Sequence, residues 1–277
     1  MATTPIIKIM VATHKQYKMP RDSIYLPIHV GAEGKTDKDG NPLDFGYQKD
    51  NDGDNISDKN WCFGTQTALY WGWKNLKADY TGLVHYRRHF LSRKPKKNED
   101  AFNCILTGEQ LYPLLKQYRV IVPKKRHYYV ESVYSHYSHT MNGGREQLEL
   151  AREIISEKAP DYLSAFDTFM HRRSAYIFNM MIIEKGLFDE YCSWLFSILL
   201  ELFNRFDTTG MNDFDRRYAG RVSERLFNVW LAHQIETDKL KPSDIKEMPY
   251  TEDVNWRKKI AGFIKAKLFL KKYGSSF

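Results

Sequence analysis

Apolar residues along the chain form short β-rich runs separated by stretches of helical spacing. The run "IIKIMVAT" (6–13) reads as a buried strand that ends in the polar Thr13, His14 and Lys15, and "IYLPIHVGA" (24–32) as a second strand running into Gly31. "CFGTQTALYWGWKNL" (62–76) sets Ala68, Tyr70, Trp71, Trp73 and Leu76 at helical spacing and leads into a strand at 80–84. Beyond it the pattern predicts a short helix over 108–118, a strand over 119–125 and an amphipathic helix over 145–160 stopped by Pro160. A buried strand over 175–183 runs into a helix over 187–206, and a last helix covers 223–236 with Ser223 as its N-cap. Strands alternating with helices predict an α/β fold, a mainly parallel central sheet flanked by helices.

In a parallel sheet the polar clusters Thr13-His14-Lys15, His29-Gly31 and His85-Tyr86-Arg87-Arg88 converge on one edge, where α/β proteins hold ligands. Arg87 and Arg88 follow a buried strand with no turn residue between. Paired arginines there have little packing value, whereas guanidinium forks match phosphate oxygens bidentately. His14 or His29 taken alone reads more simply as a structural histidine. The stretch 33–60 is a polar loop long enough to carry function. Its part "DNDGDNISDKN" (50–60) offers Asp52, Asp54, Asn55 and Ser57 to ribose or sugar hydroxyls, or to Asx turns of a solvated loop.

Charge and composition narrow the partners. A net charge of +8, with 18 tyrosines in 277 residues, favours nucleic acid, a phosphorylated small molecule or an acidic membrane surface over a neutral ligand. A merely soluble basic surface is the plain alternative. Cys62, Cys104 and Cys192 are too widely spaced for a metal knuckle and odd in number, so reduced thiols are expected. The start "MATTPIIKIM" lacks signal-peptide character, and the longest apolar run, "WLFSILLELF" (194–203), is far short of the roughly 20 residues a bilayer span needs. A cytoplasmic protein is expected. Phosphate-loop, dinucleotide, zincin and nucleophile-elbow motifs are missing from the sequence. Two calcium-loop-like stretches fail, with Pro42 and Asn55 where Gly is required and Gln48 and Trp61 where Glu is required.

The blocks "GDNIS", "LYWGWKN", "GLVHYRR" and "SERLFNVWL" occur in an order and spacing that resemble a bacterial capsular and exopolysaccharide glycosyltransferase family, over about residues 6–235. That family, long catalogued as a domain of unknown function, is similar to the GT-A type of nucleotide-sugar transferase, and some members add galactofuranose from a UDP donor. The resemblance implies a GT-A-like domain over 1–240, with a nucleotide-sugar half (1–125), an acceptor half (126–240) and a basic C-terminal helical extension (241–277). It implies that Thr13, His14 and Lys15 lie beside the base and the 50–60 loop beside the ribose or donor sugar. His29 and Tyr86 join them as donor contacts.

Many GT-A enzymes end the strand equivalent to 80–84 in an Asp-x-Asp pair that holds a divalent metal. His85-Tyr86-Arg87-Arg88 stands there and contains no carboxylate. Charge building on a departing diphosphate can be met by guanidinium groups instead, so a metal-independent enzyme is expected. Mn or Mg held by Asp52-Gly53-Asp54 or Asp213-Phe214-Asp215 is the alternative. The acceptor hydroxyl needs a base, and Glu224 at a helix start, Asp213 and Asp215 are the candidates. Glu224 could equally be a helix-dipole carboxylate. "HYYVESVYSHYSHTMNGG" (127–144) suits a saccharide surface.

Residues 255–277 carry seven basic residues and no acid, with Trp256, Ile260, Phe263, Ile264 and Leu270 on one side of a helical wheel. Such a helix would lie peripherally on the inner face of an anionic membrane, near a lipid-linked saccharide acceptor. Two rival readings stay open: a non-enzymatic RNA-binding protein, although no RNA-binding signature is present, and a nucleotide-sugar hydrolase or phosphotransferase.

Overall fold

The computed structural model describes residues 4–251. In chain order its main elements are β1 (Ile7–Thr13), β2 (Tyr25–His29), β3 (Gln48–Lys49), α1 (Asn60–Phe63), α2 (Gln66–Asn75), β4 (Tyr80–His85), α3 (Gly108–Leu115), β5 (Val120–Pro123) and β6 (Arg126–His127). There follow α4 (Val133–Thr140), α5 (Gly144–Lys158), α6 (Leu163–Met170), β7 (Ser174–Ala175), β8 (Met181–Glu184), α7 (Lys185–Arg205), α8 (Tyr218–Glu236) and β9 (Ile245–Met248).

The central sheet has the order β3-β2-β1-β4-β8-β5-β9, and β6 and β7 pair separately as a short antiparallel ribbon. Only β8 runs antiparallel to its neighbours in the central sheet. This is the expected mixed α/β architecture with a mainly parallel sheet, and it is GT-A-like.

Side chains of β1 alternate between two cores, as a strand covered on both faces must. Met10 and Ala12 face the layer of α2, α5, α7 and α8, with Phe63, Tyr191 and Trp230 at its centre. Ile7, Ile9 and Val11 face the smaller layer closed by Leu111 and Leu115 of α3. Register then aligns the strand ends: Thr13 lies opposite His29, Ala12 opposite His85, and His29 opposite Lys49.

Several boundaries differ from the pattern-based expectation. The helix expected over 62–76 breaks at Gly64, whose φ of 56° no helix accommodates. The strand expected over 175–183 is interrupted where Phe178 and Asn179 take left-handed backbones, φ 72° and 53°. Nor is Ser223 an N-cap, because α8 begins five residues earlier at Tyr218 and carries both Ser223 and Glu224 in its interior. An Asx turn sets that start: the Asn212 side chain accepts the N–H groups of Phe214 (2.9 Å) and Asp215 (3.0 Å). Helix α8 can run through Gly220 because its bare Cα meets α1, where a Cβ would come within 2.7 Å of the Phe63 carbonyl.

The boundary expected at residue 240 falls too early, since β9 pairs with β5 and completes the sheet. Residues 255–277, expected to form a membrane-binding helix, lie outside the described residues. Among the described residues no helix is long and apolar enough to cross a membrane. The three cysteines are buried and unpaired.

Candidate functional site

Four strand ends and the start of β8 meet along one edge, and local turns fix what each presents. Thr13 closes the end of β1: its hydroxyl donates to the Lys15 carbonyl at 2.6 Å and accepts the Lys15 N–H at 3.3 Å. That turn leaves His14 and Lys15 exposed beside the β4 end. Residues 85–88 form a tight reversal, with His85 N–H to the Arg88 carbonyl (3.2 Å) and Arg88 N–H to the His85 carbonyl (2.9 Å). The Tyr86 N–H docks it on β1 through the Ala12 carbonyl at 3.1 Å.

The buried Tyr86 ring organises the surface above it. His14 meets it edge-on with centroids 5.4 Å apart, Tyr17 at 4.9 Å, and the Lys15 ammonium lies 5.4 Å from its centre. Arg87 places its guanidinium 5.2 Å from the same ring and is otherwise exposed, whereas Arg88 lies over Phe178 at 4.1 Å. Thr251 steadies the turn from β9, donating to the Arg87 carbonyl (3.1 Å) and accepting the His89 N–H (2.9 Å). Desolvation, then the cations Lys15, Arg217 and Arg87, hold the His14 imidazole below its usual range. Arg217, the exposed residue just before α8, is near enough to contribute to that lowering.

Two histidines are spent inside. Burial pushes His85 down to about 4, so the ring is neutral near pH 7 and donates Nε2–H to the Phe178 carbonyl at 2.5 Å. His89 is likewise pushed down to about 4 by burial, and its Nε2 lies 3.2 Å from the Tyr86 carbonyl.

The carboxylates Glu224, Asp213 and Asp215 differ in what they touch. Glu224 accepts the Phe178 N–H on one oxygen and the Arg225 guanidinium on the other at 2.9 Å. Asn228, one turn on, grips both the N–H and the carbonyl of Tyr176 at 2.8 Å each. The segment entering β8 is thus clamped to α8. Asp215 is buried and accepts the Asn212 amide at 2.7 Å, while Asp213 is exposed.

At the β2 end His29 is buried against Phe45, with centroids 4.5 Å apart. Asp50, missed by the sequence reading, is the hub of the 50–60 loop: it accepts Gly31 N–H (2.8 Å), Ala32 N–H (3.1 Å) and the Ser57 hydroxyl (2.5 Å). Asn55 holds the same loop through the Asn51 and Gly53 carbonyls. Ser57 and Asn55 are therefore committed to shaping the loop. Asp52 and Asp54 remain exposed, accepting Gln48 (2.7 Å) and the Tyr70 hydroxyl (3.1 Å).

The structure thus brings Thr13, His14, Lys15, Tyr86, Arg87 and Arg88 together, with Glu224 joined to them through Phe178. Asp52 and Asp54 belong to the loop beyond the β2 end. Arg217, Arg221 and Arg225 were also missed, although their spacing of four was legible once a helix start at 218 is recognised. Arg221 lies over Phe214 at 3.9 Å and Arg225 over Tyr137 at 4.5 Å. Among the described residues no three His, Cys, Asp or Glu side chains gather as metal ligands. The groups at the β4 end are cations and a committed imidazole, a donor set that does not fit a divalent cation.

A solved structure titled as the apo form of WbbM, a bifunctional glycosyltransferase, superposes with a TM-score of 0.77 at 30% identity. The match covers 90% of this chain and 46% of that one, so the chain spans under half the length of this structural relative. No curated protein matches. Residues 8–235 match the family described as a domain of unknown function, DUF4422, and the chain belongs to that family.

Proposed function

We propose that the protein is a glycosyltransferase that moves a hexosyl group, with galactofuranose the leading candidate, from a UDP-sugar to a saccharide acceptor during bacterial surface-polysaccharide synthesis. The observation that carries this reading is the cationic, aromatic edge built by Lys15 and Arg87 around Tyr86. The similarity to a bifunctional glycosyltransferase supports the reaction class.

In the proposed reaction the bond from the sugar's anomeric carbon to the diphosphate oxygen breaks, and its electron pair goes to UDP. Preorganised cations oppose the charge that builds there without reorganising at the moment of transfer. Lys15, Arg87 and Arg217 take that role. The acceptor hydroxyl forms the new bond to the anomeric carbon and gives its proton to a carboxylate, Glu224 ahead of Asp213 and Asp215. Asp52 and Asp54 are the loop carboxylates left to meet ribose or sugar hydroxyls. A lipid-linked acceptor and attachment of residues 255–277 to the inner membrane face complete the proposal.

The test is UDP release from a panel of UDP-sugars with and without saccharide acceptors. Acceptor-dependent release with a new glycoside supports transfer. Release at the same rate without acceptor assigns hydrolysis instead.

A further inference from the structure

The loop between β6 and α4 carries the two most exposed large apolar side chains among the described residues, Tyr129 at 79% and Val130 at 66%. Tyr129 also holds a left-handed backbone, φ 58°, which a bulky residue adopts only where its surroundings impose it. Here they do. The Tyr128 N–H donates to the Arg173 carbonyl and the Val133 N–H to the Arg172 carbonyl, both at 2.8 Å. The Arg173 guanidinium adds a bond to the Tyr129 carbonyl at 3.4 Å. Both apolar side chains are thereby held away from the core.

Cations flank this tip: Arg173 reaches the Tyr129 carbonyl and Arg126 lies 5.3 Å from the Tyr128 ring centre. Lys124, Arg126, Arg172 and Arg173 are exposed, and no carboxylate pairs with any of them among the described residues. The nearby acids are engaged elsewhere: Glu247 reaches Lys125 at 3.8 Å and Glu131 reaches His139 at 3.4 Å. An aromatic and an aliphatic side chain fixed outward beside exposed positive charge match a surface with anions outside and an apolar layer beneath. Nucleic acid would use the cations and the ring but has no use for Val130. A saccharide would use the ring but not the charge.

We propose that the β6–β7 ribbon docks the protein on an anionic bilayer. Tyr129 and Val130 enter the headgroup layer, and Lys124, Arg126, Arg172 and Arg173 face lipid phosphates. The ribbon follows the end of β5, so docking would turn the site's edge of the sheet toward the membrane. The inference does not depend on the sugar-transfer reading, and its readout is lipid binding, independent of activity.

Full-length protein is sedimented at low salt with phosphatidylcholine vesicles, with and without phosphatidylglycerol. Y129S/V130S and R172E/R173E should each weaken partition onto the anionic vesicles roughly tenfold, while K96E/K97E, an equal charge change on another loop, should change it less than about threefold. Melting temperature and UDP affinity should stay at wild-type values in all three. Y129S/V130S or R172E/R173E partitioning like wild type, or no worse than K96E/K97E, would overturn the proposal. Unchanged partition with lost binding of single-stranded RNA, or with lost transfer to a soluble saccharide, would also overturn it and give the surface to that partner.

Discussion

The Glu224 carboxylate accepts the backbone N–H of Phe178, and that bond fastens α8 to the segment entering β8. The Phe178 carbonyl in turn accepts from His85 at 2.5 Å, so a carboxylate on α8 and an imidazole at the β4 end hold one residue from both sides. Phe178 keeps its φ of 72° within this clamp. The Arg88 guanidinium lies over its ring.

Glu224→Gln should therefore reduce turnover about 10²–10⁴-fold while leaving UDP affinity within a few fold. The amide keeps the shape but loses basicity, and its NH₂ cannot accept the bond from Phe178 or Arg225. Steady-state kinetics beside a UDP titration check this. Unchanged turnover would pass the base role to Asp213.

Arg87→Ala and Arg217→Ala should each weaken UDP binding by about ten- to a hundredfold, the usual cost of a lost charge-assisted contact. Uridine lacks the diphosphate and should bind all three proteins alike. Equal losses for uridine would mean that the arginines support the fold and not the phosphates.

Asp50→Ala should cost about 3 kcal/mol of stability, because it leaves two buried N–H donors and the Ser57 hydroxyl without their acceptor. Urea unfolding followed by circular dichroism measures it. A midpoint equal to wild type would show that the loop does not depend on this carboxylate.

Stability should fall as pH drops from about 6.5 towards 4. Burial lowers His85 and His89 to about 4 in the folded chain, whereas the unfolded chain protonates them near the ordinary histidine value of 6.5. Below that value the unfolded state binds more protons, so the stabilisation present above it is progressively lost. The fully buried His89 alone contributes a slope of about 1.4 kcal/mol per pH unit inside this window. His89→Gln should flatten the melting-temperature profile by that share, and an unaltered profile would remove His89 from the account.

How far the sequence carried this picture depended on how local each cause was. β1, β2 and β4 were legible because unbroken apolar runs end in polar clusters, and parallel pairing brings those ends together. The α8 start was hidden because an Asx turn at Asn212 and the contact of Gly220 with α1 decide it, and the latter is tertiary. That shift moved Glu224 off a helix terminus and concealed the row of Arg217, Arg221 and Arg225. Asp50 stood next to the residues chosen from its loop. Nothing in its neighbours' identities says which of the loop's four aspartates turns inward. β9 was overlooked because "IKEM" has little apolar character and is a strand through its pairing with β5.

The central claim is that arginine and lysine side chains, without a divalent metal, receive the diphosphate at the end of β4. Calorimetric titration of the full-length protein with UDP in excess chelator tests it most directly. UDP should bind saturably, Mn or Mg should change that binding by less than a few fold, and the Arg87→Ala variant should lose it. Binding that appears only when metal is restored, and that Arg87→Ala retains, would contradict it.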